Sequence, residues 1–285
     1  MRNNIVLRWT LSAVVILLIV MGSYLGYASI AGPTTVEHED HGKSSNSAGP
    51  EEKQNDEHGG HGEHRYDNTS SESDVIPTVH YEDDTIHIEL KDKAGNAVDG
   101  EELEVNHEKI MHLIIVSDEQ KQYFHLHPEK KGKGAFTVQH NLSEGSYKAF
   151  IDIKPKDKNY EVKPLPIKVG AGETHGEHVS LKPDTEFTKT VDDYTVTMTP
   201  ETFKSNEEIV LDFDLKEIKP EPYLGALGHV VILDESGDKY VHVHPASETD
   251  TRFATKFGKP GIYKIWAEFK MNGKVHVFPF VVDVK

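Results

Sequence analysis

The sequence predicts an all-β protein with two tandem immunoglobulin-like β-sandwich domains that follow an N-terminal transmembrane or signal segment. Three observations support this prediction. Short apolar stretches alternate with period two between turn residues, one histidine pattern occurs twice, and an apolar run lies near the N-terminus. Period-two alternation is typical of strands that bury one face. A pattern repeated after roughly a hundred residues indicates a duplicated domain of immunoglobulin-like size.

The N-terminal segment, residues 1–32, has the composition of a membrane-targeting sequence. Arg2 and Arg8 precede an apolar run from Leu11 to Ala28, and no acidic residue occurs before Glu37. The run is about long enough to cross a bilayer as a signal anchor, and the small residues after it also fit a cleavable signal peptide. Either alternative places the remaining chain outside the cytoplasm. We therefore expect a cell-membrane protein with an extracytoplasmic bulk, or a secreted protein if the segment is cleaved.

The next segment, residues 33–75, is rich in Asp, Glu, His, Ser and Gly and poor in apolar side chains. Such a composition cannot bury enough apolar surface to offset the entropy lost on ordering. We expect a disordered His- and acid-rich tether, which either captures metal loosely or acts as a polar spacer.

The overall composition excludes several kinds of site. The chain has 285 residues, 18 histidines, no cysteine and a formal net charge of −17. The acidic balance argues against a nucleic acid partner, which needs a basic face. The absence of cysteine excludes disulfides and thiolate metal ligands.

The remainder of the chain contains two copies of one pattern. In each copy a histidine is followed by twelve residues and then by His-x-His-Pro, beginning at His112 and at His229. A later Gly-x-Tyr step opens a strand in both copies, at Gly145 and Gly261, as at the tyrosine corner of immunoglobulin-like domains. The domains are predicted at residues 76–170 and 186–285, joined by a linker at 171–185. The predicted strands are Thr85–Leu90, Met111–Val116, Tyr123–Leu126, Ser146–Ile151, Thr195–Thr199, Ile209–Leu215, His229–Leu233, Tyr240–Val243, Ile262–Phe269 and Val275–Val284.

Each histidine pattern is predicted to form one β-hairpin. A turn of even length around Glu119 and Gln120 places His112 opposite His127, and His125 lies two residues away on the same face. The second copy has a stronger turn at Ser236-Gly237, and its equivalent histidines are His229, His242 and His244. Residues directly opposite each other have Cβ atoms about 4.5–5.5 Å apart. Three imidazoles are therefore expected on one face of each hairpin.

Clustered imidazoles in an oxidising compartment suit Cu(II) or Zn(II). Asp152 and Glu268 recur at equivalent positions, where they either complete the ligand set or orient a histidine. Two other interpretations stay open: the histidines form a solvated outer face, or they are hydrogen-bonded core residues. We expect a three-histidine site in each repeat, and the sequence leaves open whether the two repeats bind one ion each, share one ion or bind none. The candidate metal ligands are His112, His125, His127, Asp152, His229, His242, His244 and Glu268.

These blocks resemble the YtkA-like group, a poorly characterised family of bacterial extracytoplasmic immunoglobulin-like domains. The resemblance covers both repeats and rests on Met111-His112, on His125-x-His127-Pro and on their second-copy counterparts. It implies copper or other heavy-metal handling at the candidate ligands. The second copy departs from the pattern, with Gly228 in place of Met111, which implies a weaker or differently selective site.

The expected function is binding of metal ions outside the cytoplasm, with copper favoured and zinc next, for buffering, resistance or delivery. The expected partners are a metal exporter or another envelope protein and, through an uncleaved N-terminal helix, the membrane. We expect no enzymatic activity, because no nucleophile triad or phosphate-binding loop is evident. The alternative is a tandem structural or interaction protein, and a copper redox enzyme is a more remote one.

Overall fold

A computed structural model describes residues 72–170, 180–200, 202–243, 245, 247 and 249–285. Across these residues the regular structure consists of sixteen β-strands and one 3₁₀ turn at Gly100–Glu102, which confirms the all-β prediction. Within the same ranges no helix is long and apolar enough to cross a bilayer. The predicted N-terminal segment 1–32, most of the tether and linker residues 171–179 lie outside the described residues.

The first repeat is a sandwich of two four-stranded antiparallel sheets. Their strand orders are β1-β2-β6-β5 and β4-β3-β7-β8. These orders correspond to the A-B-E-D and C′-C-F-G sheets of immunoglobulin-like domains. The sequence predicts this class of sandwich but not its strand order. The strands are β1 (Val75–Glu82), β2 (Thr85–Asp92), β3 (His112–Ser117), β4 (Tyr123–Leu126), β5 (Glu129–Gly132), β6 (Ala135–Gln139), β7 (Gly145–Asp152) and β8 (Leu165–Val169).

The second repeat has the same plan with one altered sheet. Its sheet β13-β12-β15-β16 repeats the order of β4-β3-β7-β8, whereas the other sheet has the order β14-β11-β10-β9. There β9 pairs with the outer side of β10, and no described strand corresponds to β5. The strands are β9 (Thr188–Val191), β10 (Tyr194–Pro200), β11 (Glu208–Asp214), β12 (His229–Asp234), β13 (Tyr240–Val243), β14 (Arg252–Lys256), β15 (Gly261–Met271) and β16 (Lys274–Val284).

Each repeat has a tyrosine corner at the start of a long strand. The hydroxyl of Tyr147 donates to the backbone oxygen of Ser143 at 2.9 Å, and that of Tyr263 donates to the backbone oxygen of Lys259 at 2.8 Å. Both rings lie in the core of their own sandwich. This is the bond expected of a tyrosine corner, and it confirms the interpretation of the two Gly-x-Tyr steps.

The two repeats pack against each other through the outer faces of their sheets β4-β3-β7-β8 and β13-β12-β15-β16. Alternate residues of β3 point to opposite sides: Leu113 and Ile115 enter the core of the first sandwich, while Ile114 and Val116 enter a separate cluster. This third cluster is apolar, fully buried and drawn from both repeats, and its members are Ile114, Val116, Phe150, Val231, Leu233 and Trp266.

The contacts across this boundary come in equivalent pairs. Tyr123 stacks on Trp266 with ring centroids 5.1 Å apart, and Tyr240 stacks on Phe150 at 5.0 Å. Lys148 donates to the backbone oxygen of Ser236 in the opposite hairpin turn, and its counterpart Lys264 donates to the backbone oxygen of Gln120. Such reciprocity is the mark of a two-fold, isologous interface. Both repeats therefore form one compact unit with a quasi-two-fold axis.

Candidate metal centre

The histidines lie at one end of this boundary, where the hairpins β3–β4 and β12–β13 begin. In the first hairpin Leu113 pairs with Leu126 and Ile114 with His125, so the next step of the register sets His112 opposite His127, as expected. In the second hairpin Val230 pairs with Val243, which is the register equivalent to that of Leu113 with Leu126. His244 itself lies outside the described residues.

The three histidines of the first repeat converge on a small volume. The Nδ1 atom of His112 lies 2.9 Å from Nε2 of His125 and 3.3 Å from Nε2 of His127. One nitrogen from each ring lies within 4.8 Å of the other two. Tetrahedral zinc with bonds of about 2.0–2.1 Å needs nitrogen atoms about 3.3 Å apart. The spacing is therefore close to that of a metal-binding triad.

Histidines of the second repeat join the same cluster. The ring centroid of His242 lies 5.2 Å from that of His112 and 5.4 Å from that of His125, and His229 lies 5.9 Å from His125. The histidine face of each hairpin is the face through which the repeats pack, so the described histidines of both hairpins lie in one cluster.

The two acidic residues cross between the repeats. His125 donates from Nδ1 to Glu268 at 2.9 Å from Oε2 and 3.1 Å from Oε1, and His242 donates from Nδ1 to Oδ2 of Asp152 at 2.9 Å. Each carboxylate thus holds a ring of the other repeat. Of the two roles left open by the sequence, this geometry favours orientation of a histidine over direct ligation, because the ring nitrogen facing the cluster is the other one.

Two backbone carbonyls fix the remaining rings. Nε2 of His112 donates to the backbone oxygen of Asn106 at 2.9 Å, and Nε2 of His229 donates to that of Tyr223 at 3.0 Å. Both acceptors begin tight turns whose two central residues have positive φ angles. These central residues are His107 and Glu108 in the first repeat and Leu224 and Gly225 in the second.

This arrangement dictates which nitrogens carry protons. Carbonyl and carboxylate oxygens only accept, so the bonded nitrogen of each ring is the N–H, and a neutral ring has its lone pair on the other nitrogen. Burial, and then the neighbouring His242, lowers the pKa of His112 to about 2. Burial also lowers the pKa of His127 and of His229 to about 3. Nδ1 of His112 and Nε2 of His125 face each other across 2.9 Å.

The carboxylates and their tyrosine partners differ in ionisation. Burial alone raises the pKa of Glu268, but the attraction and hydrogen bond of His125 outweigh it and bring this pKa to about 2. The hydroxyl of Tyr123 donates to Glu268, and that of Tyr240 donates to Asp152 at 3.1 Å. Burial, followed by the nearby carboxylate, raises the pKa of both tyrosines. The centre therefore combines imidazoles, protonated phenols and acceptor carboxylates.

Some members of the centre were not anticipated from the sequence. Tyr123 and Tyr240 stand two residues before His125 and His242 in both copies, so comparison of the repeats could have identified them. The carbonyls of Asn106 and Tyr223 have no such signature, because their side chains differ. His107, which lies outside the repeated histidine pattern, has its ring 5.9 Å from that of His229.

The difference between Met111 and Gly228 has a packing origin. Met111 is buried in the core of the first sandwich, 1% exposed, so it faces away from the histidines. At Gly228 a Cβ atom would lie 2.6 Å from the ring of Phe269. In the second repeat Phe269 thus occupies the space that a side chain at position 228 would need. Because Met111 faces away from the histidines, the change from methionine to glycine leaves the candidate ligands unchanged.

Comparison with solved structures gives matches of low structural similarity. A two-domain fibronectin type III segment of chicken tenascin matches at 11% identity and a TM-score of 0.24, over 74% of this chain and 98% of that one. The Escherichia coli adhesin FdeC matches at 15% identity and a TM-score of 0.23, over 75% of this chain and 65% of the adhesin. The FN1–FN3 domains of chicken CNTN1 match at 8% identity and 0.23, over 73% and 63%. Each TM-score lies below 0.5, so the strand order and pairing carry the fold class.

The sequence comparisons identify a family. No curated protein matches this chain. One family model matches it twice, over residues 68–170 and 189–285, and thus once in each sandwich. These matches do not bear on the resemblance to the YtkA-like group, which stays an expectation. The chain belongs to the family described as domain of unknown function DUF8832.

Proposed function

We propose that this protein binds a transition-metal ion at the centre between its repeats, with copper favoured and zinc next. One observation carries the proposal: the nitrogens of His112 and His125 face each other at 2.9 Å while the opposite nitrogen of each ring donates to an acceptor. Two ring nitrogens that face each other at this distance share either a proton or a metal ion, because two unshared lone pairs would repel. Metal-bound histidines typically donate their second N–H to a carboxylate or a carbonyl.

The biological role follows from the predicted compartment. A targeting segment at residues 1–32 would set the metal centre outside the cytoplasm, where buffering, resistance or delivery of copper or zinc is the fitting task. A metal exporter or another envelope protein would then be the partner. The tether histidines at residues 33–75 would supply a weaker first point of capture.

The test is metal binding by the full-length chain, purified without chelators and, if needed, in detergent. Metal content and calorimetric titration with Cu(II) and then Zn(II) are compared between the native chain and the variant His125→Gln/His242→Gln. The matched control is His80→Ala/His87→Ala, because this exposed cross-strand pair lies on the sheet β1-β2-β6-β5. Both variants keep the tether.

We expect the native chain and the control His80→Ala/His87→Ala to retain more tightly bound metal than His125→Gln/His242→Gln, which is the centre variant. Equal binding by all three would assign the metal to the tether and would reject the proposal. Far-ultraviolet circular dichroism of each variant checks that the β-structure is retained.

The second candidate function is a tandem structural or interaction protein of immunoglobulin-like domains. The observation that favours it is the apolar cluster of Phe150, Trp266 and their neighbours, which joins the repeats without any ion. In that case a proton shared by His112 and His125 would replace the metal. This candidate predicts no difference in metal content between the native chain and the centre variant.

A further inference from the structure

An open cleft lies at the boundary of the repeats and contains none of the candidate metal ligands. Its volume is about 180 Å³, and it is lined by Lys121, Tyr123, Lys264, Trp266, Val277 and Pro279. The first two residues belong to the first hairpin and the other four to β15 and β16. Pockets for drug-sized ligands have volumes of about 300–1,000 Å³, so this cleft has room for a small ligand only.

One wall of the cleft is apolar. Alternate residues of β16 point to opposite faces of the sheet: Phe278 enters the core of the second sandwich, so Val277 and Pro279 lie on the outer face. Pro279 is the strand partner of Trp266, whose ring stacks on Tyr123 at a centroid distance of 5.1 Å. Proline has no backbone N–H, which disfavours pairing of a further strand at this edge. The wall therefore suits a flat apolar group.

The amino group of Lys264 brings a positive charge to this wall. Its Nζ atom lies 5.3 Å from the ring centroid of Trp266 and donates to the backbone oxygen of Gln120. No described carboxylate forms an ion pair with it. Asp184 attracts it from a longer distance but is itself paired with Lys189 at 2.6 Å. Burial lowers the pKa of Lys264, as expected of an ammonium group that lacks a close counter-charge.

The quasi-two-fold axis provides an internal comparison for this charge. Lys148 is the counterpart of Lys264, and its Nζ atom forms an ion pair with Asp238 at 2.9 Å. The position of the first hairpin turn that corresponds to Asp238 is occupied by Lys121, whose own partner is Glu119 on the exposed turn, at 2.6 Å. The fold therefore neutralises the lysine on one side of the axis but not its counterpart beside the cleft.

From these observations we infer that the cleft binds a small organic anion, namely a carboxylate attached to a flat apolar body of about one aromatic ring. The carboxylate takes the role that Asp238 has on the other side of the axis and accepts a hydrogen bond from Lys264. Lys121 adds a second positive charge at the rim. The apolar body packs against Trp266 and the wall formed by β16. This site is separate from the histidine centre and needs no metal ion.

The probe is benzoate, and its binding to the full-length chain is measured by equilibrium dialysis after metal has been removed with a chelator. Lys264→Gln removes the charge and keeps most of the side chain, and Lys148→Gln is the matched control on the other side of the axis. We expect one saturable equivalent for the native chain and the control. Lys264→Gln should weaken binding by about 10–100-fold, the loss expected for one charge-assisted hydrogen bond, whereas Lys264→Arg should retain it.

A second variant tests the comparison between the two sides. Lys121→Asp gives the first hairpin turn the acid that neutralises Lys148 in the second, so it should abolish benzoate binding without altering the apolar wall. Lys121→Gln should weaken binding less than Lys121→Asp. Acetate, inorganic phosphate and benzyl alcohol each lack one half of the proposed ligand and should bind the native chain more weakly than benzoate does. The urea unfolding midpoint of each variant checks that the fold is retained.

Several results would overturn the inference. The first is no saturable binding of benzoate by the native chain, and the second is equal binding by the native chain and Lys264→Gln. An equal loss in Lys148→Gln and Lys264→Gln would assign the binding to general surface charge. Acetate or phosphate bound as tightly as benzoate would mean that the apolar wall takes no part. Each of these results would leave the proposed metal centre standing, because none involves its histidines.

Discussion

Replacement of Gly228 by alanine should lower the free energy of unfolding of the second repeat. The added Cβ would lie 2.6 Å from Cε1 of Phe269 and 2.7 Å from the backbone oxygen of Glu268. Carbon atoms pack at about 3.5–4.0 Å, so the overlap is about 1 Å. The ring of Phe269 is buried in the core of the second sandwich, and the carbonyl belongs to β15, where Glu268 is paired with His229. Overpacking of this kind costs about 1–3 kcal/mol.

The assay is equilibrium urea unfolding of the full-length chain, with the midpoint and slope compared between native and variant. Gly132→Ala is the matched control, since the nearest atom to its added Cβ would be that of Ala135 at an ordinary 3.8 Å, and surface changes of this kind usually stay within ±0.5 kcal/mol. The double variant Gly228→Ala/Phe269→Leu should lose less stability than the sum of the two single variants, because a smaller side chain relieves the overlap.

The same substitution also tests the link between packing and the centre. A shift of the Glu268 backbone moves the carboxylate that holds His125, so Zn(II) affinity should fall together with stability. If Gly228→Ala unfolded within about 0.5 kcal/mol of the native chain, then Phe269 would not be the reason for glycine at this position, and the packing argument would be refuted.

Two further predictions concern stability. In the presence of a chelator, the free energy of unfolding should fall as the pH is lowered from 7 to 5. The pKa values of His112 and His229 in the folded chain lie near 2 and 3. Below about pH 6.5 these histidines therefore take up protons in the unfolded chain but not in the folded one. The loss is roughly 2 kcal/mol for each of the two histidines, and urea midpoints that stay constant over this range would contradict it. Tyr263→Phe should cost about 1 kcal/mol, because the bond from its hydroxyl to Lys259 is lost in a buried corner. Thermal unfolding of Tyr263→Phe is compared with that of Tyr194→Phe, whose hydroxyl takes part in an exposed hydrogen bond. Equal destabilisation by the two substitutions would contradict a stabilising role of the tyrosine corner.

Much of the fold was predictable because the inner strands have a clear pattern. Each of the ten predicted strands overlaps a strand of the structure, within one or two residues at most ends. The strands not predicted are β1, β5, β6, β8, β9 and β14, and all except β6 are sheet edges. Edge strands bury less surface and tolerate proline and charge, as Pro77 in β1, Pro166 in β8 and the lysines of β5 illustrate.

The shape of the centre was harder to predict, although one pattern bore on it. Strands β3 and β12 are apolar at nearly every position, as in Leu113–Val116, and such continuous runs are typical of strands buried on both faces. If each hairpin is taken to bury only one face, strand geometry still predicts that its histidines share a face, but it places that face in solvent. With both faces buried, the face that carries His112 must meet another layer.

The crossed carboxylates explain why two copies of the domain are needed. Within one repeat His112 is the strand neighbour of Asp152, and His229 is that of Glu268, yet each acid bonds a histidine of the other repeat. A single domain would lack the carboxylate that orients His125 or His242, and its apolar outer face would be exposed. Duplication supplies both at once, because a two-fold interface doubles every favourable contact that it contains. The histidine centre is therefore a property of the pair of repeats, and neither domain alone should reproduce its metal affinity.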